Sequence, residues 1–168
     1  MALTYMATLD RLVAQGVLVE VSTPLRRDEF PERHFYSYPS VVTWMDQEVS
    51  GMASGRLQSE MKPREQLAVF LRRWVSGQEI KYDRMFKDLQ PMTDEVWEIK
   101  TTDLRIFGWI PQRRRFIAVV GGYADDYKPP GRKKLYVEEK AKVLAARAAL
   151  DLDEPKFATG TFDDLVSV

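Results

Sequence analysis

The chain contains no cysteine and a single histidine, His34. Disulfide staples and cysteine-based zinc sites are thereby excluded, and one imidazole cannot build a multi-histidine metal centre. No metal and no cofactor is expected. A net charge is missing too, with 25 Lys and Arg against 25 Asp and Glu. Nucleic-acid binders are usually basic overall, so any such role here has to come from local clustering. Nor is there a long apolar run. Asp10 and Arg11 interrupt the first 16 residues, which do not read as a secretory leader. Nothing approaches the roughly 20 apolar residues of a membrane span. Together with the lack of cysteine, which suits a reducing compartment, these features point to a cytoplasmic protein with no membrane contact.

What is present suits a packed domain. The 168 residues are 45% hydrophobic and 30% charged, with 4 Trp, 7 Tyr and 8 Phe available to fill a core. The length fits one domain with extensions. Residues 1–33 read as an N-terminal extension. A helix over residues 4–15 aligns Tyr5, Leu9 and Leu12 and stops at Gly16; a strand over 17–21 and a proline-containing loop follow. Residues 34–150 read as the main domain, and residues 151–168 as an acidic tail that is mobile or docked.

Within the main domain, His34 to Tyr38 alternates as a strand. Ser40 serves as the expected N-cap of a helix carrying Val41, Trp44, Met45 and Val49. A second helix starts at Pro63 and buries Leu67, Phe70, Leu71 and Trp74. An amphipathic piece over 80–89 leads to a turn at Gln90 and Pro91. Three strands then follow, over residues 96–100, 104–110 and 115–121. A last helix over 135–150 aligns Val137, Ala141, Leu144 and Ala148.

The register of the three strands is open to argument. A two-residue turn at Thr101 and Thr102 sets Lys100 opposite Asp103 and Glu98 opposite Arg105. It leaves Trp97, Ile99, Leu104 and Ile106 on one uniformly apolar face. Extended to the third strand, this parity adds Ile117 and Val119 to that face. Phe107, Trp109, Phe116 and Ala118 then share the other face with Lys100 and Arg105. A mixed surface of that kind is either covered or used for binding.

The order strand, helix, helix, three-strand meander, helix resembles the RelE/ParE toxin superfamily, and its phage-derived HigB-like branch in particular. Val96-Trp97-Glu98-Ile99-Lys100 is similar to that branch's "lWELR" strand, and Leu104-Arg105-Ile106-Phe107 to its "yRvfy". Val41 to Asp46 resembles its first helix. Val119-Val120-Gly121-Gly122-Tyr123 stands where the branch has "LLHGF", and Lys128-Pro129-Pro130 where it has a lysine-rich loop and "TP". The resemblance spans roughly 115 residues. It implies an α+β, RelE-like fold: an antiparallel twisted sheet packed against N-terminal helices, with a C-terminal helix and, here, a helix-strand extension before it. It implies a ribosome-dependent mRNA endoribonuclease of a toxin–antitoxin system. The partners would be the ribosome, mRNA and a cognate helix-turn-helix antitoxin. Where the family has a strand arginine, a histidine and adjacent lysines, this chain has Lys100, Gly121 and Asp125-Asp126. Those departures motivate a second reading, a non-catalytic phage protein on the same scaffold that binds and inhibits a host macromolecule.

Cleavage of this kind uses the RNA 2′-hydroxyl as nucleophile. It needs a base for that proton, cations for the phosphate and an acid for the leaving oxygen. By the resemblance, the catalytic candidates are Lys100, Arg105, Tyr127 and Lys128. The RNA-binding candidates are Arg113, Arg114, Arg115, Tyr123, Arg132, Lys133 and Lys134. Clustered arginines form an electrostatic footprint, and tyrosines stack on unpaired bases. The competing structural readings are a Glu98–Arg105 ion pair, solvated charge runs, and tyrosines that cover the sheet.

Overall fold

A computed structural model describes residues 2–128 and 133–168, with side chains from residue 8 onward. Arg132 lies outside the described residues. The fold is α+β. The elements are α1 (Ala2–Ala14), β1 (Val19–Glu20), β2 (His34–Ser37), α2 (Pro39–Gln47), α3 (Pro63–Val75), β3 (Phe86–Asp88), β4 (Trp97–Lys100), β5 (Leu104–Trp109), β6 (Arg115–Tyr123), α4 (Lys133–Ala149) and α5 (Phe162–Val166). The strands form a six-stranded sheet in the order β1-β2-β6-β5-β4-β3.

The sheet is mixed rather than antiparallel. β2 runs parallel to β6, and the remaining neighbours are antiparallel. A parallel pair requires a long crossover, and the chain supplies one through α2 and α3. β3 replaces part of the amphipathic piece expected over 80–89. Phe86 is fully buried there, with ring centroids 5.4 Å from Trp74 and 5.3 Å from Trp97. A strand sets that ring between them, so tertiary packing overrides the local pattern.

Helix ends follow local chemistry. Gly16 adopts φ +73° just after α1, the left-handed stop that glycine permits. Tyr38, not Ser40, is the N-cap of α2, because Pro39 occupies the first turn. Pro63 likewise opens α3, where the Lys62 N–H donates to Glu65 Oε2 at 2.8 Å.

Both sheet faces are covered. On one, α2, α3 and α5 enclose Phe35, Trp97, Ile99, Leu104, Ile106 and Phe116. On the other, α1 and α4 enclose Tyr36, Phe107, Trp109 and Ile117. Phe116 and Ala118 therefore join the Trp97 face, and Ile117 and Val119 join Phe107 and Trp109, the reverse of the sequence expectation. The cause is a β-bulge. Trp109 faces Ile117, but beyond the irregularity at Phe107 and Gly108, Ile106 faces Gly121. One extra residue in β6 changes its parity, so a single alternation does not describe the strand.

The β4–β5 pairing differs from expectation by two residues. Lys100 lies opposite Arg105, and Glu98 opposite Phe107. A slip of two preserves the faces, so Trp97, Ile99, Leu104 and Ile106 still share one. The turn closes instead through the Thr101 N–H, which donates to the Leu104 carbonyl at 3.1 Å.

α4 is rotated relative to its expected stripe. Val137 is exposed, and Glu139, Val143 and Arg147 are buried. Arg147 donates to the carbonyls of Glu95 at 3.0 Å and Asp94 at 2.8 Å. Polar residues with partners can occupy a buried face that an apolar count does not find. The tail docks on both layers: Leu152 and Phe157 pack with α1 and α4, whereas Phe162, Leu165 and Val166 pack with α2 and α3.

Candidate functional site

With both faces occupied, no basic cleft lies on the sheet itself. The cations gather instead at the end of the sheet where β4 turns into β5. A groove of about 480 Å³ opens there, bounded by α3, the segment before β3 and the 57–61 loop. Lys100, Arg105 and Lys128 line it together with Arg73 and Arg84, and no acidic residue does among the described residues. The other wall is apolar and carries Leu57, Met61 and Val69, all exposed.

The cations are held differently. Lys100 Nζ donates to the Asp83 carbonyl at 2.8 Å, which fixes its direction, and it forms no ion pair among the described residues. Lys128 Nζ lies 3.7 Å from Asp125 Oδ1. Arg105 is buried. Its Nη1 donates to the carbonyls of Thr101 at 2.7 Å and Leu104 at 2.8 Å. Its Nε is 3.2 Å from Glu98 Oε1, close enough for charge pairing but off the line of a hydrogen bond. Burial raises the Glu98 carboxyl above its ordinary value, against the pull of Arg105 and of Tyr136, whose hydroxyl donates to Glu98 Oε1 at 3.0 Å.

Tyr127 is not at the groove. Its ring lies edge-on to Phe107 and Tyr136 on the α4 side, and its hydroxyl donates to Glu139 Oε2 at 3.3 Å. Burial raises its pKa, and Glu139 adds to the effect. A phenol held protonated in this way cannot act as a base near neutral pH.

The arginine run is likewise elsewhere. Arg113, Arg114 and Arg115 sit at the β5–β6 hairpin, at the opposite end of β5 from the groove. Arg114 Nε donates to the Ser167 carbonyl at 3.0 Å, and the Arg114 N–H donates to the Leu165 carbonyl at 2.7 Å. Arg113 Nη2 approaches the Ser167 carbonyl at 3.5 Å, and Arg115 is buried beside His34 at the start of the parallel pair. Arg113 and Arg114 hold the tail in place. Lys133 and Lys134 are exposed at the start of α4, with Lys134 3.9 Å from Glu138, and neither lines the groove.

Tyr123 and the acidic residues near it form a latch. The Tyr123 hydroxyl donates to the Ala53 carbonyl at 3.3 Å. Asp103, expected to face Lys100, is buried. Its Oδ1 accepts from the Gly55 N–H at 3.1 Å and its Oδ2 from Gln66 Nε2 at 2.6 Å. Asp125 Oδ2 accepts from the Arg56 N–H at 2.9 Å. A Cβ on Gly55 would lie 2.5 Å from the Tyr123 hydroxyl and 2.6 Å from Asp103 Oδ1, so a larger residue there would displace the latch side chains. Asp125 therefore seats the loop that forms the groove's apolar wall.

Arg73 and Arg84 escaped sequence reading. One lies on a helix flank and the other in a segment read as part of an amphipathic element. Only the fold brings them beside Lys100. No group of three or more His, Cys, Asp or Glu residues that could hold a metal occurs among the described residues, and no helix among them is long and apolar enough to cross a membrane. No family model matches the chain, and no curated protein or solved structure matches it significantly.

Proposed function

We propose that this chain is a RelE/HigB-like toxin that engages ribosome-bound mRNA through the groove and cleaves it as an endoribonuclease. One observation carries the reading. Lys100 and Arg105 of the β4–β5 hairpin and Lys128 after β6 line one groove with Arg73 and Arg84, and no carboxylate among the described residues lines it with them. Such a concentration of positive charge in a neutral chain suits a polyanion. Lys100 acts as a point charge on phosphate, whereas Arg84 offers the bidentate fork. Expression of the wild-type chain should stop growth and translation, and mRNA in a translation extract should be cut. An adjacent helix-turn-helix antitoxin would neutralise it. Intact mRNA and unimpaired growth would remove the nuclease.

A second reading draws on a different observation. Tyr127 is engaged by Glu139 and Arg105 is paired with Glu98, so two of the four expected catalytic groups are committed to the fold. On this reading the chain is a non-catalytic RelE-fold phage protein that inhibits a host macromolecule. Growth arrest with intact mRNA, together with one stoichiometric host partner on affinity capture, would favour it.

A further inference from the structure

We propose that the chain carries a second binding site, for a small monoanionic carboxylate with a planar aromatic body, in the cleft between α5 and the β3–β4 edge. The cleft holds about 810 Å³ and shares no lining residue with the cationic groove. Ligand pockets typically span roughly 300–1,000 Å³.

Arg33 lines this cleft and is only 2% exposed. Its Nε donates to the Val166 carbonyl at 2.7 Å, and its Nη1 to the carbonyls of Trp74 at 3.1 Å and Gln78 at 2.9 Å. All these acceptors are main-chain oxygens. Among the described residues Arg33 forms no ion pair, and its Nη2 makes no hydrogen bond. Carbonyl dipoles at the end of α3 and the Trp74 ring, whose centroid lies 5.3 Å from Arg33 Cζ, solvate the guanidinium but do not cancel its charge; nearby Arg114 adds to the positive potential and Glu32 opposes it. A buried charge without a counterion is unfavourable, and an anion entering the cleft would compensate it.

The remaining lining sets the ligand's shape and charge. Tyr82 and Phe162 meet edge to face at 5.4 Å, with Trp97 behind them, and these faces suit a planar aromatic body. Lys81 adds a second cation. Glu79 and Asp163 also line the cleft and are exposed, which disfavours a doubly charged phosphate. Asp88 is already occupied, accepting from the Tyr82 hydroxyl at 2.6 Å and from Gln90 Nε2 at 3.0 Å.

The test is calorimetric titration of the full chain with 2-naphthoate and with its neutral counterpart, 2-naphthamide. The acid should bind with 1:1 stoichiometry, about tenfold or more tighter than the amide. Tyr82→Ala, at a half-exposed position, should weaken the acid by about fivefold. Arg33→Gln should remove the preference for the acid. Should Arg33→Gln not fold, Lys81→Ala takes its place and should narrow the preference. Lys100→Ala in the groove should leave acid binding unchanged. Equal binding of acid and amide, no saturation up to about 5 mM acid, indifference to Tyr82→Ala, or loss on Lys100→Ala would each overturn the site.

Discussion

Arg105 Nε lies 3.2 Å from Glu98 Oε1, and both side chains are buried, with Tyr136 of α4 donating to the same carboxylate. Arg105 therefore belongs to the core as well as to the groove. Arg105→Ala leaves a buried carboxylate without its partner and should cost about 3–5 kcal/mol. The urea midpoint of the variant measures this. Replacing both partners, with Glu98→Gln and Arg105→Met, should recover most of that loss, because no charge is then left uncompensated. A midpoint for Arg105→Ala close to wild type would show that the pair is not structural.

Glu98 also gives a pH signature. Burial holds its carboxyl above the ordinary value of 4.5. The folded state then binds the proton more readily than the unfolded state, so stability declines as pH rises from about 4.5 to the raised folded value. Glu98→Gln removes this titration. The difference in unfolding free energy between wild type and Glu98→Gln should shift against wild type across that window and be flat above it. A difference that runs the other way would mean that the Arg105 charge outweighs burial.

The contrast between α3 and α4 shows how far the sequence was legible. α3 buries Leu67, Phe70, Leu71 and Trp74, and spacing alone finds that stripe. α4 buries Glu139 and Arg147, whose partners lie on Tyr127, Lys142, Asp94 and Glu95, so spacing selects the wrong face. The Trp97 face survived a wrong turn because a slip of two preserves parity, whereas the bulge at Gly108 reversed part of β6 without a local signal. A Cβ on Gly108 would lie 1.9 Å from the Ile117 carbonyl oxygen, a constraint visible only in three dimensions. The resemblance selected Lys100, Arg105 and Lys128, and the fold gathers all three at one groove. It also selected Arg113 and Arg114, whose partners are carbonyls of the tail more than 50 residues away, which no local pattern shows.

The groove makes an electrostatic prediction. Arg84 and Lys100 line it, and neither forms an ion pair among the described residues. Arg84→Ala and Lys100→Ala should each weaken single-stranded RNA binding and reduce the log–log salt slope by about 1, with little change in stability. Arg113→Ala, at the far hairpin, should leave RNA affinity unchanged. Fluorescence anisotropy across a salt series measures all three. Equal losses for the groove and hairpin variants would show that RNA is not held at the groove.

The sequence resemblance would set a histidine at Gly121. A Cβ there would lie 2.4 Å from Trp44 Cζ3, so the α2 indole fills the space of a side chain. Gly121→His should therefore destabilise the protein rather than increase RNA cleavage, because Trp44 must move. Thermal unfolding and a cleavage assay of the same preparation separate the outcomes. An unchanged melting temperature with increased cleavage would mean that the indole yields freely.

The acidic pair after β6 divides into two roles. Asp126 is exposed, whereas Asp125 accepts from the Arg56 N–H at 2.9 Å and lies 3.7 Å from Lys128. Asp126→Lys adds positive charge close to Lys128 and should tighten RNA binding with no loss of stability. Asp125→Lys has two opposing effects. It adds charge but releases the Arg56 backbone, and with it the loop that presents Leu57 and Met61 to the groove. Amide exchange in residues 55–59 should therefore rise for Asp125→Lys and stay unchanged for Asp126→Lys. Protection that is the same in both variants would show that Gly55 and Asp103 alone seat the loop, leaving Asp125 as an ordinary surface carboxylate beside the groove.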